Sequence, residues 1–224
     1  MTMLLTGAGL FILTHFGLSA DPMRKALINQ LGEKAFGGVY SLIAFVTFGL
    51  MIYGFISAVP GEELWGHGKT MMILAKIIML VSIVLLVLGL MNQSPLSMMG
   101  KVAPGWQATG VLKITRHPVQ WAMFLWGFSH LLVNSDPRSL VLFGTFVLVA
   151  GVGTVLMDRK FAARGDANMA AVFAQTSNLP FWAMITGKTR FTKSDIHWQA
   201  ELIGLAIYTA IYLTHDWIAG IPLY

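Results

Sequence analysis

Six stretches of this chain are apolar for long enough to suggest membrane crossings: residues 3–20, 35–59, 70–91, 118–134, 139–157 and 200–220. Each approaches the roughly 20 residues that a spanning helix needs. The fourth and fifth are short and are separated by Ser135, Asp136 and Pro137, a tight turn that makes the pair a helical hairpin. Residues 93–112 are broken by Pro95, Gly100, Pro104 and Gly105 and read as a loop or shallow interfacial segment. Residues 158–199 form the one long polar region. Its middle, MAAVFAQTSNLPFWAMITGK, mixes aromatic and polar side chains and is expected to lie on the membrane surface or cap the bundle. The predicted fold is all-α, a polytopic membrane helix bundle of about six transmembrane helices, with residues 1–224 as a single domain.

Composition agrees with this pattern. Hydrophobic residues make up 56% of the chain and charged residues 11%, whereas a soluble domain has about a quarter of its residues charged. The net charge of +5 would raise nucleic acid as a partner for a soluble domain. Here the basic residues fall where membrane orientation needs them, so membrane lipid is the expected partner and nucleic acid is not. Arg24, Lys25 and Lys34 follow the first stretch. Lys101, Lys113 and Arg116 follow the third, and Arg159, Lys160, Arg164, Lys188, Arg190 and Lys193 follow the fifth. The alternate connections hold only Lys69 and Arg138. The positive-inside rule then predicts a multi-pass protein of the bacterial inner membrane with both termini periplasmic. The first stretch has its basic residues after the apolar run, the reverse of a cleaved signal, and reads as a retained helix. Lys76 alone lies within a predicted span, where its stem lets it snorkel toward the interface.

The chain has no cysteine, which excludes disulfides, thiolate metal sites and covalently attached haem. Its chemistry therefore centres on six histidines. His67 and His197 flank predicted spans and read as solvated interface residues. His215 stands beside Asp216, as a hydrogen-bonded interface residue would. His117 sits at the mouth of the fourth helix, in Arg116-His117-Pro118, where it either caps the helix or takes a catalytic part. His15 and His130 lie inside apolar stretches, where no water satisfies an imidazole. Apart from Glu201 and Asp216 near the ends of the last, no acidic residue falls in a predicted span, so a divalent zinc site around His15 or His130 lacks its three or four ligands. A b-type haem needs only one or two axial imidazoles and an apolar slot, and Trp121, Phe124, Trp126 and Phe128 supply apolar surface on the fourth helix. His117 and His130 are about 20 Å apart along one helix and cannot flank one iron. Depth alone pairs His130 with His215 and His15 with His117, and admits His15 with His130 if the haem tilts. Arg116, at a helix N-terminus with backbone N–H groups, makes an anion site for haem propionates or a lipid phosphate, or simply anchors the helix on the cytoplasmic side.

Three blocks, GLFILTHF, GVLKITRHPVQWAMFLWGFSHLL and FAQTSNLPFWAMITGKTRF, resemble the NnrU family over nearly the whole chain. That family includes bacterial proteins associated with denitrification and nitric oxide metabolism, and the plant zeta-carotene isomerases are similar to it. Those enzymes bind haem b through two histidines and isomerise a cis double bond when the iron is reduced. The resemblance implies a haem b-binding membrane protein with His15 and His130 as the metal ligands. His117, with Arg116 beside it, would be a further cofactor-binding or catalytic residue, and His67 aligns loosely. Nitric oxide or a hydrophobic polyene is the implied ligand, the latter making the protein a haem-dependent cis-trans isomerase. RHPVQW also resembles the RHPxY-type corner of membrane isoprenylcysteine carboxyl methyltransferases, a lesser alternative because only Glu201 stands where those enzymes place paired acidic residues.

Overall fold

The computed structural model describes residues 1–92, 94–96, 102–163, 167–220 and 223, and these form helices and connections with no strand among them. The helices are α1 (Thr2–Ser19), α2 (Asp21–Leu31), α3 (Glu33–Ser57), α4 (Lys69–Met91), α5 (Pro118–Val133), α6 (Pro137–Ala163), α7 (Ala167–Gln175), α8 (Trp182–Ile185) and α9 (Trp198–Ala219). Single 3-10 turns occupy Gly110–Lys113 and Lys193–Asp195. Of the sequence features above, Gln93, Gly100, Lys101 and Arg164 lie outside the described residues.

Among the described residues five helices, α1, α3, α4, α6 and α9, are long and apolar enough to cross a membrane. The protein is therefore an all-α membrane protein. The fourth predicted span forms α5, but its 16 residues reach only about 24 Å at 1.5 Å per residue. Both of its ends are fixed locally: Pro118 opens it, as a residue without an N–H readily does, and the Asn134–Asp136 turn closes it. The fifth predicted span is longer than its apolar run implied. The α6 helix continues through Asp158 to Ala163, so Asp158, expected to open the polar region, lies within the helix. The first connection holds a helix, α2, that hydrophobicity did not reveal.

The chain divides into two units, Met1–Ala75 with Gly127–Val149, and Lys76–Trp126 with Ala150–Tyr224. In the first, α1 packs on α3. Leu4, Gly7, Ala8 and Phe11 are the buried face of α1, spaced by three and four residues as one side of a helix must be. The contact is backbone to backbone. A Cβ on Gly7 would come within 2.6 Å of the Met51 nitrogen, and one on Gly54 within 2.4 Å of the Leu4 nitrogen. Small residues at a crossing let membrane helices approach this closely, and dispersion at short range stabilises the pair where lipid offers no hydrophobic drive. Arg138 closes the end of α3, donating to the Ala58 carbonyl at 3.1 Å and lying 4.8 Å above the Phe55 ring. Asp136 caps α6 through the backbone N–H of Arg138 at 3.1 Å, and Ser135 binds the Trp65 carbonyl at 2.6 Å.

In the second unit the core joins Leu85 and Leu88 of α4, Val111 and Leu112 before α5, Ala122 of α5 and Ala200 of α9. The Ser82 hydroxyl donates to the Ala122 carbonyl at 2.7 Å, satisfying a polar group buried among apolar ones. Lys76 has partners within the unit: its ammonium donates to the Leu223 carbonyl and stands 5.2 Å from the Tyr212 ring.

The predicted hairpin of α5 and α6 is present, and contacts within each unit make it antiparallel. In the first unit, Gly127 faces the Phe143 carbonyl and Val147, while His130 stacks on Phe143. In the second, Phe124 meets Gly151, Gln120 meets Met157 and His117 meets Asp158. That register carries the start of α5 to the one carboxylate of α6.

Candidate functional site

The chain between α4 and α5 ends in Thr115, Arg116 and His117, all buried. A segment from 175 to 182 holds this corner in place. The Arg116 N–H donates to the Ser177 carbonyl at 2.9 Å, and the Phe181 N–H to the Ile114 carbonyl at 2.8 Å. The Thr115 hydroxyl and the Trp121 indole N–H both donate to the Asn178 carbonyl, at 2.7 and 2.9 Å. This segment, expected to lie on the membrane surface or cap the bundle, is the clamp on the RHP corner. Its own geometry is strained, since Phe181 adopts φ 66°, a left-handed conformation that bulky residues avoid at a cost of about 1–3 kcal/mol.

Within the clamp lies a four-residue polar centre. The His117 Nε2 is 2.8 Å from Asp158 Oδ1, and because a carboxylate only accepts, Nε2 carries the proton. Asn178 donates to Asp158 Oδ2 at 2.9 Å. The Arg116 Nε lies 3.4 Å from Asp158 Oδ1, an ion pair without the alignment of a hydrogen bond, and the guanidinium stacks 4.5 Å over the Phe173 ring. His117 is 1% exposed and Arg116 8%. His117 is therefore not a surface cap bonded to a headgroup. The Arg116 and His117 N–H groups, expected to be open to an anion, are both engaged, the latter by the Thr115 hydroxyl at 3.2 Å. Burial pushes the Arg116 guanidinium below its usual value, and Asp158 opposes that shift; a guanidinium remains charged regardless. Among the described residues the Arg116 Nη1 and Nε and the His117 Nδ1 have no hydrogen-bond partner.

A second ionic clamp flanks this centre. Asp195 accepts from the Lys113 ammonium at 2.8 Å, the Gly110 N–H at 3.0 Å and the Thr192 N–H at 2.8 Å. Burial works against its charge, but Lys113, Thr192 and the two N–H groups outweigh burial and hold its carboxyl well below the usual range. Gly110 has φ +53°, and a Cβ there would lie 2.6 Å from His197 Nε2. His197 is thereby half-buried against backbone rather than simply solvated. His67 is exposed, as expected, and His215 lies near the end of α9.

His15 and His130 both belong to the first unit and are both half-buried. The His15 Nδ1 is 2.9 Å from the Phe11 carbonyl. A carbonyl cannot donate, so Nδ1 carries the proton and the lone pair of the neutral ring resides on Nε2. Carbonyl anchoring of one ring nitrogen is how proteins orient an imidazole for a metal at the other. The ring lies 3.9 Å from Phe11 and 5.8 Å from Tyr40. The His130 ring stacks on Phe143 at 4.4 Å and 17°. Phe11, Phe48 and Phe146 pack together at 5.8–6.4 Å between centroids. Imidazoles in phenylalanine-rich surroundings suit the donor chemistry of a b-type haem. Among the described residues no three or more His, Asp or Glu side chains gather as a metal cluster.

Residue selection by sequence therefore yields two places. His15 and His130 sit in aromatic surroundings of one unit, and Arg116 and His117 in the ionic centre of the other. Asp158 and Asn178 were not found by sequence reasoning. Asp158 follows directly on an apolar run and looks like the first loop residue, yet the same adjacency, an acid one step past a helix paired with RHP, was the available signal.

Fold and site together define a helical membrane protein with two half-buried histidines in one unit and a buried Arg-His-Asp centre in the other. The family model described as NnrU protein matches residues 3–223, and the chain belongs to that family. No curated protein and no solved structure matches it.

Proposed function

We propose that this protein binds haem b in the membrane through His15 and His130, in the service of nitrogen-oxide metabolism. The supporting observation is the His15 Nδ1 bond to the Phe11 carbonyl, which presents Nε2 as a metal donor. Bound there, haem would supply a redox-active iron, which could take a diatomic ligand on release of one of the two imidazoles. The chain's own residues do the rest. Phe11 orients the His15 ring and packs on it, while Phe143 fixes the plane of His130. The phenylalanines of α1, α3 and α6 keep water away. The link to nitric oxide rests on family membership, and the inner membrane, with both chain ends outside, is the setting that the basic connections favour.

The experiment is addition of nitric oxide to the reduced, detergent-purified protein. The reading expects a saturable shift of the Soret band at about one ligand per haem. A haem protein whose spectrum ignores nitric oxide contradicts the nitrogen-oxide role. Turnover of a cis-polyene under reducing conditions would replace that role with isomerisation.

A further inference from the structure

The ionic centre of the second unit borders an open pocket of about 300 Å³, lined among others by Arg116, Ser177, Asn178, Leu179, Trp182 and Lys188. Its polar lining has an uneven supply of hydrogen bonds. The Ser177 hydroxyl donates to the Leu179 carbonyl and accepts from the Ala183 N–H, the Thr176 hydroxyl donates to the Val172 carbonyl, and the Asn178 amide is held by Asp158. Arg116 differs from them. It is more than nine-tenths buried, and among the described residues its Nη1 and Nε make no hydrogen bond, Nε having only the 3.4 Å ion pair with Asp158. Its ion-pair partner Asp158 already accepts on one oxygen from His117 and on the other from Asn178. The Lys188 ammonium adds a second cation to the same pocket. Two permanent donors of positive charge against one shared carboxylate call for an acceptor-only anion, and a guanidinium fork is matched best by phosphate or carboxylate.

The rim specifies the source. Leu179, Phe181, Trp182 and Ile185 are all exposed on the segment that forms the pocket. Large apolar side chains beside a cationic pocket belong where headgroups meet acyl chains, and Trp is a residue of that interface. We propose that this pocket binds the phosphate of an anionic glycerophospholipid, with Arg116 and Lys188 on the phosphate oxygens and Leu179 and Trp182 along the first part of the acyl chains. The proposal does not rest on haem binding.

The test uses delipidated, detergent-purified protein and follows its thermal unfolding during titration with dioleoylphosphatidylglycerol, with dioleoylglycerol, and with inorganic phosphate. The expected result is a saturable rise in Tm with the phospholipid alone. Lys188→Gln, an exposed change that leaves the fold intact, and Arg116→Lys, which keeps the charge and loses the fork, each weaken the apparent affinity about tenfold, the loss of one charge-assisted hydrogen bond. An equal rise with dioleoylglycerol, or affinity unchanged in Lys188→Gln, overturns the proposal. Full saturation by inorganic phosphate, with nothing added by lipid, makes the pocket a free-anion site and overturns the lipid assignment.

Discussion

Asp158 ties the polar centre together. It is the shared acceptor for Arg116, His117 and Asn178. Removing one partner of a buried ion pair leaves the other charge uncompensated, at a cost of about 3–5 kcal/mol. Asp158→Ala should therefore lower the thermal or denaturant midpoint of the purified protein severely, and a midpoint within a degree of wild type would refute this account of the centre. Asp195 offers a pH test. Its carboxyl has an ordinary value of about 3.8, and the folded value lies below that. A depressed carboxylate contributes its full stability above the ordinary value and loses it as pH falls through the folded one. The stability gap between wild type and Asp195→Asn should be widest near neutral pH and close progressively below about pH 3.8, read from unfolding curves at each pH. A gap constant down to strong acid would mean that the Lys113 clamp is not ionic.

At the scale of elements, glycine decides how closely helices meet. Gly7 and Gly54 stand backbone to backbone across α1 and α3, whereas Gly9 has open space where a side chain would go. Gly7→Ala and Gly54→Ala should each destabilise by about 1–3 kcal/mol, the cost of overpacking a tight contact, while Gly9→Ala should be neutral or slightly stabilising for helix propensity. Equal midpoints for the three variants would show that the crossing yields without strain. Much of this level was legible in the sequence. The long apolar runs gave α1, α3, α4 and α9 within a residue or two at most ends, and Ser135-Asp136-Pro137 gave the hairpin. Two kinds of feature were not legible. The α6 helix outruns its apolar stretch because backbone hydrogen bonding continues when hydrophobicity stops. The clamp of residues 175–182 on Thr115–His117 is made largely by main-chain groups, which leave no mark on side-chain pattern. His15 and His130 were found because an imidazole in an apolar run is costly; Asn178 had no such contrast with its surroundings.

For the whole molecule, basic residues concentrate in alternate connections, and the chain contains no cysteine. Single cysteines can thus be introduced without background. Thr2→Cys and Trp217→Cys should react with a membrane-impermeant maleimide in intact spheroplasts, and Ser194→Cys only after lysis. Labelling of one end but not the other would mean an odd number of crossings, in which α5 does not traverse the bilayer.

Haem ligation by His15 and His130 is the central claim, and the absorbance spectrum of the purified protein, oxidised and then dithionite-reduced, tests it most directly. Wild type should show a Soret band and sharp low-spin bands on reduction, with both lost or shifted in His15→Ala and His130→Ala and retained in His67→Ala. A colourless wild-type protein after expression with ample haem, or low-spin bands untouched by both substitutions, would contradict it.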